Sequence, residues 1–177
     1  PAIARLGKKY FDRIGSCKPH PGYIYDYEPS LEFLVGSPYR ESTMDDVEYV
    51  AAKSEVFLWT ATEQGDLASA KLLHDLFVKF EKNENLRLHH SYNALASALE
   101  KYDDSGLLEK AVYWYEKAAK GGDLESKFVI AKAYLGVAEK LTPILGKDVK
   151  KARELFEEII SFWKSSGSKG KRQMEVI

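Results

Sequence analysis

Residues 108–135 read LEKAVYWYEKAAKGGDLESKFVIAKAYL. In the first half, Leu108, Ala111, Val112, Tyr115, Ala118 and Ala119 fall at i, i+3, i+4, i+7, i+10 and i+11, one apolar stripe on a helix of 3.6-residue period. Gly121 and Gly122 end it, since a glycine after the last periodic residue takes the left-handed cap conformation at little cost. Asp123 is suited to cap a second helix beginning at Leu124. The stretch is thus a helix, a tight break and another helix. It points to an architecture and to no particular chemistry.

The same texture extends in both directions. Upstream, Ser42 or Thr43 can cap a helix running to about Glu63, with Asp45 and Asp46 in its first turn, where negative charge is favoured. Val47, Val50, Ala51, Ser54, Phe57, Leu58 and Ala61 form its stripe. Gly65 and Asp66 close it, and a helix from Leu67 to about Lys82 follows, with Ala70, Leu73, Leu76, Phe77 and Phe80 on one face. A polar break at 82–85 leads to a helix expected over Arg87–Tyr102, with Tyr92, Leu95, Ala96 and Leu99 inside. Downstream, Lys140–Gly146 is expected to be a proline-containing turn. Lys147 or Asp148 then opens a last helix in which Val149, Ala152, Leu155, Phe156, Ile159, Ile160 and Trp163 share one face.

Superposing these segments reveals an internal repeat. With Gly65-Asp66-Leu67 set over Gly122-Asp123-Leu124, an offset of 57, Phe57 meets Trp114, Leu58 meets Tyr115, Ala61 meets Ala118, Ser69 meets Ser126, Leu73 meets Ile130 and Phe77 meets Tyr134. Ala111 falls on Ala152 at an offset of 41, and Tyr92 on Phe128 at an offset of 36. The unit is of variable length and longer than the roughly 34 residues of tetratricopeptide repeats. Small alanines let helices approach closely, and the large rings at Trp114, Tyr115, Phe128 and Tyr134 are expected to fill the space between successive pairs.

The pattern Ala111-x-x-Trp114-Tyr115-Glu116-Lys117-Ala118-Ala119-x-x-Gly122-Asp123 resembles the Sel1-like repeat family, and Phe57-Leu58 to Gly65-Asp66 is a looser copy. The likeness spans Asp46 to Trp163. It departs from the family where the 57-residue offset implies a shortened or missing helix near Lys82–Arg87, and where Ile159-Ile160 replaces small alanines. What the resemblance implies is an all-α, tetratricopeptide-like right-handed α-solenoid of antiparallel helix pairs. Its implied role is that of a non-catalytic scaffold or adaptor for protein–protein interaction. Proteins of this family also include immunity proteins, whose partner is a secreted antibacterial effector toxin. On this reading residues 1–42 form an irregular N-terminal capping segment, 43–164 the helical repeat domain, and 165–177 a flexible basic tail.

Composition agrees with a globular chain. The 177 residues are 45% hydrophobic and 30% charged, with a formal net charge of -1, so global charge gives no support to nucleic-acid binding. No apolar run reaches the roughly 18–20 residues of a membrane span. One cysteine, Cys17, allows no internal disulfide and leaves the compartment open, bacterial cytoplasm and periplasm alike. The opening PAIARLGKKYF starts without methionine and lacks the apolar core of a secretory signal, which reads as a trimmed chain.

His20, His74, His89 and His90 show no i, i+3 or i+4 pair among themselves, so neither a metal site nor a cofactor is expected. A nucleophile and base would have to come from Cys17 and His20 in GSCKPHPG, where a loop thiol is the simpler reading of the same residues. Glu48, Glu55, Glu63, Glu109, Glu116, Glu154 and Glu157 read as solvated helix faces. Gly121-Gly122 lacks the Lys-Ser/Thr of a phosphate loop. Partner binding is therefore expected on the polar face of the inner helices, centred on Asn93, Ser97, Lys127 and Lys132. The period-two series Tyr23, Tyr25 and Tyr27 offers a second aromatic surface.

Overall fold

The computed structural model describes residues 2–16, 47–81, 88 and 90–174, with the side chains of these apart from 48 and 167–174. Every regular element among them is helical: α1 (Ala2–Arg13) with a 3-10 turn (Ile14–Ser16), α2 (Val47–Glu63), α3 (Leu67–Phe80), α4 (Tyr92–Glu100), α5 (Ser105–Lys120), α6 (Leu124–Leu135), α7 (Thr142–Leu145) and α8 (Val149–Met174). The chain is all-α over these residues, and no described helix is long and apolar enough to cross a membrane.

The α2–α3 and α5–α6 corners are the same device used twice. Gly65 and Gly122 sit at φ 89° and 97°, a region open to glycine at low cost. The Gly65 N–H donates to Thr62 O at 3.0 Å and the Asp66 N–H to Ala61 O at 3.0 Å. At the second corner, Gly122 N–H donates to Ala119 O at 3.1 Å and Asp123 N–H to Ala118 O at 3.0 Å. This is the Schellman arrangement, which satisfies the last helical carbonyls. The same aspartates then start the next helix, their carboxylates accepting from Ser69 N at 2.8 Å and Ser126 N at 2.7 Å. Asp104 and Asp148 do likewise for Leu107 N at 3.0 Å and Lys151 N at 3.1 Å.

The chain forms two compact units, 1–91 and 92–177. In the first, α1 packs on α2 and α3, and α2 on α3. Residues 2–13 are a regular helix packed on both of them. Gly7 is buried where a Cβ would lie 2.8 Å from Leu58 Cδ2 and 3.0 Å from Leu58 N, and its carbonyl accepts from Ser54 Oγ at 3.3 Å. Tyr10 stacks on Phe57 beside this contact, with centroids 5.8 Å apart. The stripe of α3 is buried as its periodicity predicts: Ala70, Leu73, Leu76, Phe77 and Phe80.

In the second unit α4 packs on α5, α5 on α6 and α6 on α8. All six stripe residues of α5 are buried, together with Leu107 and Trp114. Burying the aliphatic ones among them, Leu107, Leu108 and Val112, stabilises by about 1.5–3 kcal/mol each. The turn expected at Lys140–Gly146 contains the four-residue α7, with Pro143 in its first turn. Two bonds tie the start of that connection: Thr142 Oγ1 donates to Ala133 O at 3.0 Å, and Lys140 Nζ to Glu100 O at 3.2 Å. α8 runs to Met174.

Two substitutions test these contacts. Asp123→Ala leaves the Ser126 N–H without its acceptor and is expected to cost about 1 kcal/mol in urea unfolding. Gly7→Val overfills the α1–α2 contact and should cost about 1–3 kcal/mol, read as a lowered midpoint with helical content retained.

Candidate functional site

Unit 92–177 carries the four helical residues expected to bind a partner, and the structure divides them. Asn93 and Ser97 lie on α4. Asn93 Nδ2 donates to Glu125 Oε2 on α6 at 2.9 Å. Ser97 is exposed and hydrogen-bonds the buried Tyr115 hydroxyl, which itself donates to Glu100 Oε2 at 2.7 Å. Burial, reinforced by the Glu100 carboxylate, raises the Tyr115 phenol well above its ordinary value. It stays a neutral donor that ties α5 to the polar edge of α4.

Lys132 lies on the same outward side of α6 as Glu125, seven residues earlier, and Phe128 between them. Its Nζ sits 5.1 Å from the Phe128 ring centroid. Phe128 is 46% exposed, a correction to its expected place between helix pairs. Its ring meets Phe156 edge-on at 5.9 Å, so one flank packs on α8 and the other is open. Leu135 is exposed one turn beyond Lys132. Asn93, Ser97, Glu125, Phe128, Lys132 and Leu135 thus give α4 and α6 an outer surface of one aromatic and one aliphatic group among polar side chains, the mixture typical of protein interfaces.

Lys127 is not part of that surface. Its side chain is 18% exposed and its Nζ pairs with Glu158 Oε2 of α8 at 2.6 Å. Helix geometry explains this: Lys127 is near Ala131 in angle, on the side of α6 that faces α8, about 140° from Lys132. Tyr23, Tyr25 and Tyr27 lie outside the described residues, as do Cys17, His20 and His89. His74 is half-buried on α3.

In unit 1–91 the chain assembles a group that helical patterning did not reveal. Glu55, expected on a solvated face, is fully buried. Its Oε1 accepts from the His90 backbone N–H at 2.9 Å and lies 2.9 Å from His90 Nδ1. The His90 ring stacks on Trp59 at a centroid distance of 3.6 Å. Lys53, two residues before Glu55, is buried as well, its amine 5.3 Å from the Tyr49 ring centroid, and burial lowers its pKa. The signal available in sequence was slight: Glu55 is adjacent in helical angle to Ala51 and Thr62, on the buried side of α2.

Glu55→Ala is expected to lower stability by about 1–3 kcal/mol, whereas Glu55→Gln, which keeps an acceptor, should retain most of it. Trp59 emission should rise in the alanine variant as the imidazole leaves the ring. No protein-family model, curated protein or solved structure matches the chain.

Proposed function

We propose that this chain is a non-catalytic protein-binding scaffold of the Sel1-like repeat kind, its helices arranged as a tetratricopeptide-like α-solenoid. The observation that carries this reading is the duplicated corner. Two helix–Gly–Asp–helix junctions, 57 residues apart, share the same capping bonds and the same buried serine, Ser69 or Ser126. Repeated corners of one geometry are the means by which such proteins stack units and leave an extended face for a partner.

The face we assign to the partner is that of α4 and α6: Asn93, Ser97, Phe128 and Lys132, with Leu135 at one end. Phe128 supplies an apolar anchor that is already held on one flank, so little conformational freedom is lost on binding. Lys132 beside it favours a partner with a carboxylate next to an apolar side chain. Lys127 serves the α6–α8 packing instead.

Affinity co-purification from native-host extract tests this assignment. Phe128→Ala/Lys132→Glu should lose a protein that the wild type retains, while Lys110→Glu on α5 should retain it. Equal recovery by all three would remove the α4–α6 face from the binding site.

A further inference from the structure

α4 and α6 both pack on α5, and the buried Tyr115 of α5 connects with side chains of both. Its hydroxyl accepts from Ser97 and donates to Glu100 Oε2 at 2.7 Å, both on α4, and the Glu125 carboxylate of α6 acts on it as well. Asn93 Nδ2 of α4 in turn donates to Glu125 Oε2 at 2.9 Å. Two carboxylates are thus held in place by neutral groups. Neither is paired with a lysine or arginine of the chain. The nearby cations are engaged differently. Lys140 Nζ donates to the backbone carbonyls Glu100 O and Lys101 O at 3.2 and 3.4 Å, and the Lys132 amine lies over the Phe128 ring. Glu158, on the far side of α6, shows the contrast: it has Lys127 at 2.6 Å.

The hydrogen-bonding groups along this edge are one-sided. The Tyr115 O–H, the Ser97 O–H and one Asn93 N–H are spent within it. What remains unfilled is Glu100 Oε1, Glu125 Oε1, the Ser97 oxygen and Asn93 Oδ1, all acceptors, against the second N–H of Asn93. Glu100 is half-buried, where attraction to an arriving charge is screened less than on an open surface. The complementary group is therefore a cation with many donors. A lysine ammonium is a compact and strongly hydrated point charge. A guanidinium presents five N–H groups in one plane, is less strongly hydrated and can meet two carboxylates at once.

We propose that the α4–α6 face takes an arginine side chain of its protein partner, seated on Glu100 and Glu125 beside Ser97. This rests on the reading of α4–α6 as the partner face and adds the class of side chain that the face accepts. Glu125 lies about one turn from the apolar anchor Phe128 and about 10 Å along α6 from Lys132. The arginine and the carboxylate that Lys132 favours are thus separate points on the same partner.

Random linear peptides displayed on phage and selected on the folded full chain provide the test. Peptides retained by the wild type should be enriched in arginine, and Glu100→Gln/Glu125→Gln should bind them about tenfold or more weakly. Glutamine keeps an acceptor for Tyr115 and for Asn93, so this variant removes charge without removing either bond. Replacing the arginine of a selected peptide by citrulline, its neutral isostere, should weaken binding to the unaltered protein by a similar factor, whatever the variants do to folding. Lysine serving as well as arginine would overturn the guanidinium assignment. Peptides that are lost from Phe128→Ala/Lys132→Glu, yet carry no excess of arginine and bind the glutamine variant as tightly as the wild type, would overturn the arginine site and leave the face standing. Equal binding to the wild type and to both variants would overturn the face itself, and the arginine site with it.

Discussion

A carboxylate placed one residue before a helix accepts the amide proton three positions ahead, and among the described residues four helices begin that way, at Asp66, Asp104, Asp123 and Asp148. The first turn of any helix leaves amide protons without internal acceptors. A side chain supplied at that position removes one of them and marks where the helix can start. At two of the four, the backbone N–H of the same aspartate closes the preceding helix. The order and direction of the helices therefore follow from local bonds, and hydrophobic burial acts on segments whose ends are already set.

Between those ends, packing is decided by size. Where small residues meet, as at Gly7 against Leu58, the helices come close enough for Ser54 to reach a neighbouring backbone carbonyl. Where rings meet, as with Tyr92 on Trp114 at 5.0 Å, spacing is kept and filled. Lys117 lies over this group, its amine 5.4 Å from Tyr92 and 5.7 Å from Trp114, and partial burial, assisted by Lys120, lowers its pKa. Its aliphatic stem covers the aromatic shelf while its head stays near water.

The helices were legible because their signals are local. The stripes of α3 and α5 are complete within one turn-to-turn pattern, and the Gly-Asp corners declare themselves in two residues. The exceptions are contacts between segments distant in sequence. Glu55 is hidden by residue 90, and nothing in the α2 pattern distinguishes a glutamate that will accept a remote backbone N–H from one that faces solvent. Lys127 and Lys132 both read as polar positions of α6, and only the neighbour, α8 with Glu158 in one case and solvent in the other, separates them. Val149 and Trp163 were expected inside on α8 and are 60% and 65% exposed, because periodicity says which side of a helix is apolar, not how much of that side a shorter neighbour can cover.

The shared aspartate at each Gly-Asp corner has a consequence for how such a chain can vary. Because Asp66 and Asp123 each belong to two helices at once, neither corner contains a residue that could be duplicated or deleted without breaking a cap on one side or the other. Length changes must be absorbed at the opposite corners, where helices are joined through longer segments such as 136–148. On the proposed repeat reading, the unequal offsets of 36, 41 and 57 residues correspond to rigid joints at one set of bends and adjustable ones at the other.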